Sequence, residues 1–203
     1  MGKLWRRFLF CFVIALIFWG WTLISDAVAL RSNIIRFHVV ADSDENKAQS
    51  QKLLVRDAIV SAIQGDLQSI TDISAAREYL KENLPRIKKI AEKTLERTGF
   101  DGEVMVTLCK EAFDTRVYDT FTLPAGVYEA LRITIGSGEG RNWWCVVFPS
   151  LCIPATISEF EVTAEAGGFP NRLTSTLTRQ DGYNVRFFLM DKLGEFENTL
   201  FAK

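Results

Sequence analysis

The chain has 203 residues, of which 48% are hydrophobic and 24% are charged, a balance that is typical of a folded globular protein and excludes wholesale disorder. Its formal net charge of −1 gives no sign of the clustered basic surface that binding to nucleic acid phosphates requires. A single histidine, His38, excludes a zinc site built from several histidines, and the sequence predicts no metal site and no cofactor.

The N-terminal segment has the pattern of an export signal. An apolar, uncharged run covers residues 8–24 and contains several large aromatic side chains, which argues against a buried helix of a globular fold. As a helix this run would rise about 25 Å, slightly less than the hydrocarbon core of a bilayer. Three cations, Lys3, Arg6 and Arg7, precede the apolar run. This is the arrangement that the positive-inside rule requires.

Two fates remain open for this segment. Ala27-Val28-Ala29 has the small-x-small form of a signal-peptidase site, which favours a signal peptide that is cleaved after Ala29. A retained membrane anchor is the alternative. In either case the sequence predicts a leader over residues 1–29 and a single exported domain over residues 30–203, with membrane contact confined to residues 8–24.

The exported part begins with a predicted strand and a predicted helix. Residues 33–41 are apolar and β-branched, as is typical of a strand. Asp42 and Glu45 follow with the spacing of a capping box, which marks the start of a helix. Apolar residues then recur at helical spacing up to Gly65, where this helix is expected to end.

A second helical region follows the first. It begins at Thr71 or Asp72, either of which can cap a helix. Pro85 is expected to break or restart the helix, because proline lacks the backbone N–H that a helix interior uses. The region ends at Gly99.

After Gly99 the apolar pattern changes to alternation with a period of two, which predicts four further strands. These strands cover residues 104–109, 120–123, 127–135 and 142–148. Pro124-Ala125-Gly126 predicts a tight reversal between the second and the third. The glycine-rich residues 136–140 predict a hairpin connection between the third and the fourth.

The fold class follows from these elements. Both faces of residues 142–148 are apolar, so we expect this strand at the centre of the sheet with both sides covered. Residues 155–182 are polar and predict loops, and residues 183–190 form a last apolar run before a frayed C-terminal end. The sequence predicts an α+β domain in which two or three helices pack against a mainly antiparallel sheet.

One combination of residues points to catalysis. His38 with Cys145, or with a carboxylate, has the residue types of a nucleophile and its base. A thiol buried in an apolar strand is unreactive, however, and a packed strand histidine explains His38 equally well. The sequence therefore predicts a protein that is not an enzyme, with an exported hydrolase as the alternative.

The spacing of two cysteines leaves a disulfide open. Cys145 and Cys152 would lie about 23 Å apart along an extended strand, far outside the Cα separation of about 4.4–6.8 Å that a disulfide allows. A bridge requires a chain reversal at Pro149-Ser150-Leu151, and export supplies oxidising conditions. Two buried free thiols are the other interpretation.

Trp143 and Trp144 are the first candidates for a partner-binding surface. Adjacent strand residues point to opposite faces, so one tryptophan can fill the core while the other lies near the surface and forms a binding hot spot. Packing within the core is the competing interpretation. The second candidate is the loop that precedes this strand, with Gly138, Glu139 and Arg141.

Two stretches of the sequence resemble the stage II sporulation protein R family. The first is IRFHVVADSD over residues 35–44, followed by KLLVRDA over residues 52–58. The second runs from LPAG at residue 123 to Cys152 and contains the very specific run NWWC over residues 142–145. The resemblance covers residues 33–153, which is most of the predicted exported domain.

The resemblance implies a signalling protein of endospore-forming bacteria, made in the forespore and exported across its membrane into the space between the two cells. Family members trigger a membrane-embedded aspartic protease of the mother cell through its extracellular portion. That protease then cleaves the pro-form of the mother-cell sigma factor. The resemblance implies no catalytic residues, and a passive structural protein of the envelope is a third hypothesis.

Overall fold

The structure is a computed structural model that describes residues 2–152, 157–169, 171–178 and 185–202. In chain order its elements are α1 (Gly2–Ser32), β1 (Ile35–Val40), α2 (Asn46–Gln68), α3 (Ile73–Glu96), β2 (Val104–Phe113), β3 (Arg116–Val117), β4 (Thr122–Leu123), β5 (Gly126–Ile135), β6 (Asn142–Phe148), α4 (Ile157–Ala166), α5 (Asn171–Thr178) and α6 (Val185–Phe201).

Four strands form the main sheet in the order β2-β5-β1-β6. Strands β2 and β6 are antiparallel to their neighbours, whereas β1 and β5 are parallel, with Phe37 opposite Leu131. The short strands β3 and β4 pair with each other in a separate ribbon. The predicted class, an α+β domain with a mainly antiparallel sheet, is confirmed.

Helices α2 and α3 cover one face of this sheet. Alternate strand residues point to that face, and Phe37, Leu131 and Ile133 are fully buried there. Glu129 lies on the same face and forms an ion pair with Arg77 of α3 at 2.7 Å, so its charge is not left alone. The residues of α2 that pack against the sheet recur at helical spacing and are Val55, Ile59 and Ile63.

The opposite face is covered by helices that the sequence does not predict. Helices α4 and α5 occupy much of residues 155–182, where loops are expected, and α6 continues to Phe201, where a frayed end is expected. Both expectations are wrong for the described residues. Phe160, Leu173 and Met190 are fully buried on this face, and their packing outweighs the low helix propensity of the polar segment. Residues 153–156 and 179–184 lie outside the described part of the chain.

The expected capping box before α2 does not form. Helix α2 begins after Glu45, which makes no capping hydrogen bond through its side chain. Asp42 instead accepts a hydrogen bond from the backbone N–H of Ser137 at 2.7 Å. Asp42 therefore stabilises the loop that contains Ser137, which is far away along the chain, and does not cap α2.

Two expected helix breaks are also absent. Helix α2 continues past Gly65 to Gln68, and α3 is one helix that contains Pro85. Buried side chains on both sides of each position hold the helices together, which outweighs the local preference of glycine and proline. The start of α3 is as expected, since Asp72 accepts a hydrogen bond from the backbone N–H of Ala75 at 2.8 Å.

Strand β6 lies at an edge of the sheet and not at its centre. Strand β1 lies between β5 and β6, so residues 136–140 connect two strands that are not neighbours and do not form the expected hairpin. Residues 124–126 likewise connect strands of different sheets. The apolar character of β6 has another cause. Its two faces pack into two separate hydrophobic cores, and within the described residues no strand pairs with its outer edge.

Helix α1 has two parts with different surroundings. Most of its apolar run is exposed, and its length and composition are sufficient to cross a membrane, which is consistent with a signal peptide or a membrane anchor. Its last turns are packed on the domain, where Ala27 and Leu30 are buried. Asp26 is also buried and pairs with Arg186 of α6. The possible cleavage site thus lies within a helix that contacts the domain.

Candidate partner-binding site

Trp143 and Trp144 extend to opposite faces of β6, as alternation requires. Trp143 lies on the α2 side, where its ring contacts Phe37 edge to face with centroids 6.0 Å apart. The guanidinium of Arg56 lies 4.8 Å from the centre of the same ring. Trp143 is half-buried, so it packs on the core and still presents part of its surface to solvent.

Trp144 is half-buried on the other face. Its ring stacks on His38 with centroids 4.7 Å apart, and it meets Phe113 edge to face at 5.2 Å. The guanidinium of Arg116 lies 4.7 Å from its centre. Each tryptophan is therefore held rigidly between a core aromatic or histidine ring and an arginine, an arrangement that limits the entropy lost when a partner binds.

A groove of about 610 Å³ runs along the outer edge of β6. One wall is formed by α2 on one face of the sheet, and the other by the turn over residues 118–121 on the opposite face. The floor contains both tryptophans and Cys145, and Leu151 and Cys152 also line the groove. Because its walls belong to opposite faces of the sheet, the groove follows the open edge of the strand.

Cys145 and Cys152 are joined by a disulfide, with their Cα atoms 5.4 Å apart. The chain reverses at Pro149 and Ser150, and the backbone N–H of Leu151 then donates a hydrogen bond to the carbonyl of Val146 at 3.2 Å. The bridge therefore fixes the returning chain against the edge of β6 at this end of the groove.

The loop over residues 136–141 does not line the groove. It is bound to the chain between β1 and α2, where Asp44 accepts hydrogen bonds from the backbone N–H and Nε of Arg141 at 2.7 and 3.2 Å. The backbone N–H of Glu139 donates to the carbonyl of Asp42 at 3.2 Å. Gly138 adopts a φ of 68°, which favours glycine, so this candidate loop has a fixed shape.

Lys52 is a buried residue of this region that the sequence analysis missed. Its Nζ donates to the carbonyl of Arg141 at 2.8 Å and to Oε1 of Gln49 at 2.6 Å. Burial, together with the nearby charge of Arg141, lowers the pKa of Lys52. Its position four residues after the buried Ala48 and three before the buried Val55 is the periodicity that could have revealed it.

The geometry separates the two residues of the expected His–Cys combination. His38 points to the Trp144 face, whereas Cys145 belongs to the core on the other face and is bonded to Cys152. Cys145 therefore cannot act as a nucleophile with His38, and this form of the hydrolase alternative is wrong.

A carboxylate does lie beside His38. Nε2 of His38 is 3.1 Å from Oε2 of Glu111, and Arg132 is 3.6 Å from the same oxygen. Phe113 and Trp144 enclose the imidazole, whose side chain is 2% exposed, and neither His38 nor Glu111 lines the groove. The pair is thus placed to stabilise the sheet rather than to reach a substrate. Among the described residues, no group of three or more His, Cys, Asp and Glu side chains is placed to hold a metal ion.

The Glu111 pair predicts an acid-dependent loss of stability. Burial alone would raise the pKa of Glu111, but the neighbouring imidazole of His38, the hydrogen bond from Cys109 and the charge of Arg132 together outweigh it, so that the pKa is lower than that of an ordinary carboxyl group. A lowered pKa in the folded state stabilises the protein above about pH 4.3, and this contribution is lost as the pH falls through the lowered value. We expect Glu111→Gln to lower the free energy of unfolding at pH 7, and the difference from the wild type to shrink below about pH 4.

Urea unfolding from pH 7 to pH 3 measures this difference. Glu82→Gln, at an exposed position of α3, is the matched control and should show a much smaller difference at every pH. A Glu111→Gln effect that is the same at pH 3 and pH 7 would show that the carboxylate charge is not what stabilises this site.

The comparisons with known proteins agree on one family. The family model described as Stage II sporulation protein R (spore_II_R) matches residues 31–158. The chain is also 32% identical over 189 residues to the protein named stage II sporulation protein R of Bacillus subtilis (strain 168), an alignment that covers 84% of each chain. No solved structure matches the chain. The chain therefore belongs to the stage II sporulation protein R family and has a role in sporulation.

Proposed function

We propose that the protein is a signal between the two cells of a sporulating bacterium. It is exported across the forespore membrane into the intermembrane space, where it binds the extracellular portion of a membrane-embedded aspartic protease of the mother cell. The activated protease then cleaves the pro-form of the sigma factor. In this proposal the protein itself makes and breaks no covalent bond and uses no cofactor.

The observation that carries the proposal is the groove along β6. Two rigid, half-buried tryptophans line it from opposite faces, and tryptophan is the residue most enriched at the energetic centres of protein interfaces. The apolar helix α1 supports export, because its composition suits a leader or an anchor. The enclosure of His38 between Trp144 and Phe113 keeps this imidazole away from a substrate, which argues against catalysis by His38.

Activation by contact requires a difference in affinity. A ligand shifts a protease toward its active arrangement only to the extent that it binds this arrangement more tightly than the inactive one. A shift from 1% to 99% active requires about a 10⁴-fold preference. The groove therefore has to recognise a feature of the protease that the inactive arrangement lacks or hides.

The test is processing of the pro-sigma factor in vesicles that contain the protease, with the full chain added to the side of its extracellular portion. We expect cleavage to start when the chain is added, and Trp143→Ala to reduce activation at least about tenfold, because truncation of a hot-spot tryptophan typically costs 2 kcal/mol or more. Val162→Ala, at an exposed position on α4, should activate like the wild type.

Two results would contradict the proposal. Cleavage of the pro-sigma factor by the chain in vesicles without protease would make the protein an enzyme. Processing that starts at the same rate without the chain would remove its role as an activator. A protease that lacks its catalytic aspartates is the control for both.

A further inference from the structure

The outer edge of β6 presents backbone groups to the groove. Leu151 donates its N–H to the carbonyl of Val146 from outside the sheet, so Val146 directs its backbone polar groups away from β1. In an antiparallel pair the direction alternates along the strand. Trp144 and Asn142 therefore also direct their N–H and C=O groups away from β1, while Trp143 and Cys145 pair with it.

The outward backbone groups of Asn142 and Trp144 have no backbone partner in the described part of the chain. The edge is closed at Val146 by Leu151, and the disulfide keeps Leu151 there. It is open over residues 142–144, of which Trp143 and Trp144 line the groove between α2 and the turn over residues 118–121, while Asn142 lies just beyond the groove lining. Unpaired groups on an edge strand are a template for another extended chain.

We propose that the groove binds one extended segment of the partner protein, which adds to the sheet as a strand beside β6. The N–H and C=O groups of Asn142 and Trp144 would pair with the backbone of that segment, which supplies affinity. Its side chains alternate between the two walls, so those on one side contact Trp143 and those on the other contact Trp144. This inference rests on the proposed function and specifies the part of the partner that is recognised.

The shape of the groove decides between a single segment and a second copy of this chain. The edge is recessed between walls on both faces of the sheet. In a symmetric pair of copies, each β6 would have to enter the groove of the other together with its own walls, and the walls would collide. A single extended segment carries no walls and fits between them.

Charge favours a segment without a strong net charge. The groove is lined by Arg56 and by Asp57 and Asp119, and Arg56 already pairs with Asp57 at 2.7 Å. Beyond these charges the groove offers aromatic surface, backbone groups and a few neutral polar side chains, among them Gln64 and Thr120. Recognition would therefore depend on extended conformation and on apolar or small side chains at alternate positions.

The decisive variants act on the backbone of Asn142. Asn142→Pro removes the outward N–H and places the proline ring at the open edge of the strand. It removes no hydrogen bond to β1, and an edge strand tolerates proline at such a position. Asn142→Ala removes the same side chain and keeps the N–H, which makes it the matched control. With the full chain in detergent and the extracellular portion of the protease as the probe, we expect Asn142→Pro to weaken binding about tenfold and Asn142→Ala to bind like the wild type.

Hydrogen exchange provides a second measurement on the unmodified protein. The amides of Asn142 and Trp144 should exchange fast in the free chain and become protected when the protease portion is added. Protection in the free chain would mean that the chain covers its own edge, and would overturn the inference. Binding by the wild type without new protection, with Asn142→Pro unaffected, would also overturn it and leave the proposed function standing. No binding by the wild type would overturn the proposed function together with the inference.

Discussion

Asp26→Asn is expected to lower the free energy of unfolding of the full chain by about 3 kcal/mol. The Asp26 side chain is 2% exposed and forms an ion pair with Arg186, whose Nε lies 2.9 Å from Oδ2 of Asp26. Loss of the carboxylate charge leaves the guanidinium of Arg186 in a mostly buried position without this counter-charge, and breaking a buried pair costs far more than breaking an exposed one. Urea unfolding in detergent measures the effect.

Asp57→Asn is the control for this experiment. Asp57 also pairs with an arginine, Arg56, but its side chain is 62% exposed, so its replacement should change the free energy of unfolding by less than about 1 kcal/mol. Equal effects of the two variants would contradict the structural role of Asp26. Leu23 and Ala27 of the same helix belong to the second hydrophobic core. A large effect of Asp26→Asn would therefore mean that cleavage after Ala29 removes a stabilising ion pair as well as these two core side chains.

Arg36→Ala is expected to lower the free energy of unfolding by about 3 kcal/mol, whereas Arg36→Met should stay within about 1 kcal/mol of the wild type. Arg36 is fully buried, and its guanidinium lies 4.1 Å from the centre of the Phe113 ring. Its Nη2 donates to the hydroxyl of Tyr118 at 2.9 Å, while Nε and Nη1 have no hydrogen-bond partner. The side chain therefore contributes volume more than it contributes paired charge.

The neighbouring tyrosine does not supply the missing counter-charge. Burial raises the pKa of Tyr128 to about 12, so the phenol beside Arg36 stays neutral at physiological pH. Methionine fills a similar space without an uncompensated cation, and alanine leaves a cavity. Arg86→Met, at an arginine whose side chain is 51% exposed, is the control. If methionine at position 36 destabilises as much as alanine, the charge and not the volume of Arg36 stabilises this core.

The sequence predicts the elements of the first core better than their arrangement. The spacing of apolar residues along the sequence depends on which face of an element is buried. This spacing correctly indicates the strands of the main sheet and the two helices that pack on Phe37 and Leu131. Neither pattern reports which strands are neighbours. Strand β6 has two apolar faces because each face packs against a different hydrophobic core. It lies at the edge of the sheet because β1, which is distant along the chain, pairs between β5 and β6.

The second core was missed for a different reason. Its side chains come from several short segments that are separated along the chain, such as Phe160 in α4 and Leu173 in α5. Short helices are stabilised mostly by tertiary packing and leave little trace in local propensity. The part of the candidate site formed by Trp143 and Trp144 was predicted from adjacency alone, but its walls come from α2 and from the turn over residues 118–121, which no local pattern connects to them.

The position of β1 has a consequence for the order in which the chain acquires its structure. In the proposed export, with the N-terminus first, this strand would cross the membrane early, yet both of its partners, β5 and β6, lie more than eighty residues further along the chain. Closing such long loops is slow, because their entropy is lost before the pairing compensates it. Under the proposed export, the main sheet therefore cannot close until β5 and β6 have also crossed the membrane.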